Sequence, residues 1–183
     1  MSCVRLAVLT AVLAVACGGK GANTPGRDYP PYTGRTVELF DDGIDPIAVG
    51  YQLEPGPPPA MDSSLRERVQ TADAVLRARV VTVTSRDEDS KRSWQLGLHT
   101  LTVLAGSSPP DTDFQLEVES TDPGAGMVRA FEGRLVSATF VVALRTFARP
   151  GDPGASDPHF HLLADKPDVL AAILRGRAGI TEP

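Results

Sequence analysis

The stretch AVLRARVVTV, residues 74–83, decides the fold. Leu76, Ala78 and Val80 alternate with Arg77 and Arg79, which is the two-residue period of a strand with one buried face. Val81 and Val83 then take over the opposite phase. A one-residue slip turns every later side chain to the other face, so a flip inside one apolar run predicts a β-bulge or a strong bend. A second run repeats the pattern, with Trp94, Leu96 and Leu98 in one phase and Leu101 and Val103 in the other. The charged stretch Ser85 to Arg92 between the two runs reads as a hairpin loop with a solvated tip.

Outward from this hairpin the strand signal continues. Phe114, Leu116 and Val118 alternate with Gln115, Glu117 and Glu119, marking a third strand with one wet face. Leu135 to Phe147 is richer in apolar residues and unbroken from Phe140 to Leu144, as expected of a central strand buried on both faces. Phe160 and Leu162 mark a final short strand. Two helices flank the set. In Asp62 to Thr71, Ser64 as N-cap and Glu67 three residues later form a capping box ahead of the face Leu65, Val69 and Ala72. Asp165 is read as the cap of a terminal helix through Val169, Leu170, Ile173 and Leu174, ending near Gly176. The expected fold is mainly β: a small antiparallel curved sheet or an OB-like barrel, with a short helix before it and a C-terminal helix. The stretch TADAVLRARVVTVT, with its long second strand and the following LAG, resembles the opening of OB-like barrels in secreted proteins, among them the inhibitor domain of the tissue metalloproteinase inhibitors. Inhibitors of that family use an N-terminal Cys held in a disulfide. The two cysteines of this chain, Cys3 and Cys17, cannot reproduce that arrangement, so inhibition does not carry over.

The N-terminus carries a second kind of information. Arg5 precedes the apolar run Leu6 to Ala16, which is far shorter than the roughly 18 to 20 residues that span a bilayer. Cys17, Gly18 and Gly19 follow it. Ala14, Val15, Ala16 and Cys17 resemble the lipobox of bacterial lipoproteins, with Ala14 where Leu is usual. The resemblance implies a diacylglyceryl group on the Cys17 thiol, cleavage just before it and acylation of the new amino terminus. Gly18 after the lipidated residue implies sorting to the outer membrane rather than the inner. An ordinary secretory signal cut after Ala16 and an uncleaved N-terminal anchor are the alternatives. As a whole the chain is similar to uncharacterised bacterial lipoproteins built on the same plan.

The expected organisation is a signal peptide over residues 1–16, a lipid-anchored Pro/Gly-rich tether over 17–60 and a β-rich globular domain over 61–183. Eight of the 16 prolines lie between residues 18 and 60. Such a segment, extended at about 3.1 Å per residue, reaches on the order of 100 Å. It also holds all three tyrosines, Tyr29, Tyr32 and Tyr51, with Leu39, Phe40, Ile44, Ile47 and Val49, so part of it is expected to pack on the domain.

Charge and cysteine usage narrow the functions. Removal of the signal takes Arg5 from the 18 basic residues, leaving 17 against 23 acidic ones, a net charge of −6. Phosphate backbones repel such a surface, which argues against nucleic acid as a partner. With Cys3 removed and Cys17 lipidated, no thiol pair is left for a disulfide, thiol catalysis or a Cys-based zinc site.

Asp157, His159 and His161 form the strongest constellation of reactive side chains. On a strand, residues two apart share a face, so the two imidazoles lie opposite Phe160 and Leu162 and could share a metal, with His99 as a possible further ligand. The plainer reading is an outer-face strand with polar residues. Asp41, Asp42 and Asp45 around Gly43 lack the spacing of a calcium loop and read as a solvated acidic turn. Gly124-Ala-Gly126 reads as a turn, lacking the third glycine of a dinucleotide site. No G-x-S-x-G, S-x-x-K or H-E-x-x-H motif occurs. The expected function is that of a lipid-anchored cell-envelope protein with a non-catalytic β-rich binding or assembly domain. It needs no cofactor beyond the lipid on Cys17, and its partners are the membrane and envelope proteins. The alternative is a periplasmic metal-binding protein or metal-dependent enzyme centred on His159 and His161.

Overall fold

The computed structural model of the protein describes residues 28–51, 56–88, 91–107, 109 and 111–178; the expected signal peptide, Cys17 and the first part of the expected tether lie outside them. In chain order the elements are α1 (Arg35–Leu39), β1 (Gly43–Ile44), α2 (Ser63–Thr71), β2 (Ala74–Glu88), β3 (Lys91–Gly106), β4 (Asp113–Glu119), α3 (Gly124–Leu135), β5 (Thr139–Arg149), β6 (Asp152–Ala164) and α4 (Pro167–Ala178). Single 3-10 turns lie at Pro46–Val49 and Pro59–Met61.

Both expected phase flips are bulges. β2 and β3 pair antiparallel, and their register slips between Val75 and Leu76, between Arg77 and Ala78, and between Val80 and Thr82. The slip at Val81 is what lets Val80 and Val83, three residues apart, pack on the same core. Val81 itself, and Leu101 at the slip between the Arg77 and Ala78 pairings, are turned out to solvent. Both strands run further than the sequence indicates. The expected loop from Ser85 to Arg92 is largely ladder, with Ser85 opposite Trp94 and Glu88 opposite Lys91.

The protein is mainly β, built on one curved, six-stranded sheet in the order β1-β6-β5-β2-β3-β4. The expected OB-like barrel does not form. The chain leaves β4 into α3, which lies over a face of the sheet, so nothing joins the β4 edge to the opposite one. The sheet is mixed rather than antiparallel throughout, because β1 pairs in parallel with β6, Gly43 opposite His161 and Ile44 opposite Leu162. All other neighbours are antiparallel.

Helices cover both faces of the sheet. On one face α3 and the Pro46–Val49 turn bury Leu76, Val80, Trp94, Leu96, Leu98, Phe140, Val142, Phe160 and Leu162. On the other, α2 and α4 close over Val75, Val141 and Leu163, while α1 and Phe40 close over Ala143 and Phe147. The unbroken run from Phe140 to Ala143 is therefore fully buried on both sides, in the central position its composition predicts. That strand begins at Thr139, however, since Leu135 is the last residue of α3.

Five local features differ from expectation. The cap of α2 is Asp62, whose Oδ1 accepts from the N–H groups of Ser64 and Leu65 at 2.8 and 3.2 Å. Glu67 and Ser64 are instead bonded by the Arg35 guanidinium. Gly124-Ala-Gly126 is no turn but the first turn of α3, and a Cβ on Gly124 would stand 2.3 Å from the Asp42 carbonyl oxygen. β6 is 13 residues long rather than short, and α4 continues through Gly176 to Ala178. Asp165 does not cap α4; it receives two parallel hydrogen bonds from Arg77.

Truncation of Phe140 to Ala should cost roughly 3 to 5 kcal/mol in urea denaturation, whereas Val81→Ala at the exposed bulge should stay within about 0.5 kcal/mol. Comparable losses at the two positions would contradict the burial described above.

Candidate functional site

β6 carries the reactive side chains singled out in the sequence. Strand alternation turns Asp157, His159 and His161 to one face, opposite Phe160 and Leu162 in the core, as their spacing requires. What the two histidines meet there is the acidic turn after α1. His159 Nδ1 lies 2.6 Å from Asp42 Oδ2, and His161 Nδ1 lies 2.7 Å from Asp41 Oδ1. The second oxygen of Asp42 accepts from the buried Phe160 N–H at 3.0 Å, and Asp41 Oδ1 also accepts from the Gly43 N–H at 3.1 Å. Adjacent aspartates thus grip alternate histidines. The turn is mostly removed from water, not solvated, and Asp42 is only 7% exposed.

The backbone is shaped for this grip. Asp42 has φ of +52°, a left-handed conformation that Asp adopts more readily than most residues. The Asp42 N–H donates to the Phe160 carbonyl and the Asp45 N–H to the Leu162 carbonyl, which locks β1 beside β6. Asp45 then caps the following 3-10 turn through the Ile47 N–H. Above the pair, the Tyr32 ring stacks on His159 with centroids 3.7 Å apart, and its hydroxyl donates to the Phe40 carbonyl at 2.6 Å. Buried Arg68 of α2 donates to the Leu39 carbonyl at 2.6 Å, so α1 is held from below as well.

Negative charge is concentrated here. Burial pushes the Asp42 carboxyl above the ordinary range, with the Asp41 charge adding to it and the bonds to His159 and Phe160 opposing it. Burial also raises Asp122, whose Oδ2 accepts from the Glu119 N–H, and the Asp42 charge adds to that shift. The Tyr32 hydroxyl is raised by burial and by Asp42, Asp41 and Asp122. For Asp41, burial is again the largest effect and acts upward; the His161 hydrogen bond and charge, with the backbone N–H groups, outweigh it and hold the carboxyl low.

Asp157 and His99 do not join the cluster. Asp157 is held by the Arg149 guanidinium, with Nε at 2.8 Å, and its carboxyl is lowered by that bond. His99 is on β3, three strands away from β6, or about 14 Å at the usual strand spacing, and it bonds Asp113 at 2.7 Å. Among the described residues, no three His, Cys, Asp or Glu side chains converge as metal ligands. The Nδ1 atoms of His159 and His161 are bonded to carboxylates, so the geometry orients two imidazoles and fastens one segment to another. Asp41, Asp42 and Tyr32 were missed as their partners because they stand more than 115 residues away in sequence; the one local signal was the run of acidic residues around Gly43. Compared with known proteins, the chain matches no family model, no curated protein and no solved structure.

Asp42→Ala should lose roughly 2 to 4 kcal/mol, since it leaves the Phe160 N–H unsatisfied and puts Ala in a left-handed position; Asn, which tolerates that conformation and keeps an acceptor, should lose much less. Urea denaturation distinguishes the two, and equal stability of all three proteins would mean that the pairing is not structural.

A pH dependence follows from Asp41. A carboxyl held low in the folded state contributes stability that is fully present above the unfolded value, about 4, and is lost as the pH falls through the folded value. Asp41→Asn should therefore flatten the fall in stability below about pH 4. Asp42, raised in the fold, acts in the opposite sense: its contribution is present below the unfolded value and lost as the pH rises through the folded one. Denaturation midpoints of D41N and the parent protein across acid pH check this, and parallel profiles would overturn it.

Proposed function

We propose that this is a lipid-anchored cell-envelope protein whose β-rich body is a non-catalytic binding or assembly module. Cys17 carries the lipid, and Gly18 directs the protein to the outer membrane. The observation that carries the reading is the use made of the two histidines on β6. Their Nδ1 atoms are bonded by Asp41 and Asp42, in the segment of the fold that follows most directly from Cys17. The polar chemistry of the site thus joins the anchor-proximal chain to the sheet, and a membrane-tethered domain needs such a joint to hold its binding surface out from the bilayer.

A second reading, a metal-binding protein centred on His159 and His161, draws on the same geometry. Metal-bound imidazoles are commonly oriented by a carboxylate on the other ring nitrogen. Elemental analysis of the purified protein separates the readings: stoichiometric metal that disappears in the H159A/H161A double variant favours the second, and its absence from the parent protein favours the first.

Anchoring has its own test. Cys17→Ala should abolish incorporation of labelled palmitate and move the protein from the membrane to the soluble envelope fraction, because a single lost attachment removes every acyl chain. Density fractionation of the parent protein should find it with outer-membrane markers. Unaltered membrane association of C17A would sink the lipoprotein reading.

A further inference from the structure

At one end of the sheet β1 is only two residues long, whereas β4 forms the other edge over its full seven residues, and no strand pairs with its outer side among the described residues. Which backbone groups face outward follows from two bonds at the ends of the β3–β4 ladder. The Thr100 N–H donates to the Thr112 carbonyl, and the Ser120 N–H donates to the Arg92 carbonyl. In an antiparallel pair, inward-bonded residues alternate. Phe114, Leu116 and Val118 therefore bond to β3, and Asp113, Gln115, Glu117 and Glu119 turn their N–H and C=O groups outward. The Glu119 N–H agrees with this phase, because it is taken by Asp122 Oδ2 at 2.6 Å. Asp113, Gln115 and Glu117 remain as a ladder about 14 Å long.

The side chains define what would fit. Those of Asp113, Gln115 and Glu117 are exposed and share one face, while Leu116 and Val118 are buried on the other beneath α3, with Phe114 beside them. His99 bonds the Asp113 carboxylate, and Glu117 lies opposite Gln95. A strand laid along this edge would set alternate residues beside the carboxylates and the remainder beside the rim of the apolar core. Cross-strand pairs of opposite charge are favourable, and like charges opposite each other are not. A second copy of β4 is disfavoured on that ground, since antiparallel pairing about Gln115 sets Asp113 against Glu117 at both ends.

We propose that the outer edge of β4 takes up an extended segment of a partner protein by strand addition, and that this segment alternates basic with apolar residues. The partner's main chain completes the ladder at Asp113, Gln115 and Glu117, and its basic side chains meet Glu117 and Asp113. This rests on the binding-module reading above and names its surface and partner chemistry.

The test uses the full chain in detergent and two short labelled peptides, one alternating lysine with valine and one alternating glutamate with valine. The lysine peptide should bind, weaken as salt rises, and slow hydrogen exchange at the amides of Asp113, Gln115 and Glu117. Gln115→Pro removes an outward N–H without breaking a bond to β3, so it should weaken binding at least about tenfold while the fold is kept. Glu117→Lys should lower affinity for the lysine peptide and raise it for the glutamate peptide. Equal binding of the two peptides, an unchanged affinity of Q115P, or protection at other amides would overturn the proposal. So would a dimer of the full chain that Q115P dissociates. A photo-crosslinker at Gln115 and another at Arg86 on the hairpin, compared in the envelope, separate the levels of failure. Adducts from Arg86 alone overturn the β4 assignment and keep the binding module, and adducts from neither position overturn both.

Discussion

From Phe140 to Ala143, strand β5 has no face left for water, and the rest of the architecture answers to that. Phe140 and Val142 point into one core, and Val141 and Ala143 into the other, all fully buried. A sheet whose middle strand is apolar on both faces must be covered twice. The chain meets this with α3 on one side and α1, α2 and α4 on the other. The neighbours of β5 are β2 and β6, and both continue the pattern. Leu76 and Val80 of β2 and Leu162 of β6 join the first core, while Val75 and Leu163 join the second. Towards β4 the second face loses its cover, and polar side chains such as Gln115 and Glu117 take it over.

The segment from α1 to β1 is held by a different kind of interaction. Apolar packing of Leu39 and Phe40 under Phe147 brings α1 to the sheet, but it does not by itself choose a register for the two residues of β1. The adjacent aspartates do. Asp42 satisfies His159 and the Phe160 N–H together with its backbone left-handed, and in that geometry Asp41 faces His161. Gly124 closes the arrangement from the far side, where any side chain would strike the Asp42 carbonyl. Burying two carboxylates side by side is unfavourable unless each is hydrogen-bonded, and here each accepts from a backbone N–H and sits against an imidazole. The same bonds that fix the segment therefore make its acidic residues tolerable.

A buried polar joint and an exposed strand edge lie at opposite ends of one sheet. With the joint at the β1–β6 end and the open edge at β4, the full width of the sheet separates the Asp41 and Asp42 joint from the surface proposed for a partner, while the chain just before it, at Pro30 and Pro31, pairs with Ala148 of β5. The bulges between β2 and β3 add to that separation, because each one increases the twist of the sheet and turns the outer strands away from the plane of β5 and β6.

Much of the fold was legible in short stretches of sequence. The phase flips at Val80–Val81 and between Leu98 and Leu101, the wet face of β4 and the doubly buried run of β5 are statements about side-chain period, which the backbone of a strand imposes on any sequence. The apolar run ahead of Cys17 is likewise a contiguous pattern, and it lies outside the described residues. Helix α3 was not legible, because Gly124, Gly126 and Gly133 give it poor intrinsic propensity and its stability comes from Val128 and Leu135 packing on the sheet. The capping box at Ser64 and Glu67 misled for a related reason: its polar groups had partners in α1 that no local rule could supply. The pairing of His159 and His161 with Asp42 and Asp41 lay wholly outside local reach. Period and capping determine which residues share a face, and these the sequence determined by itself. Which faces meet, and so which charges are buried together and which strand edge is left open, depended on contacts over a hundred residues apart that only the folded chain could decide.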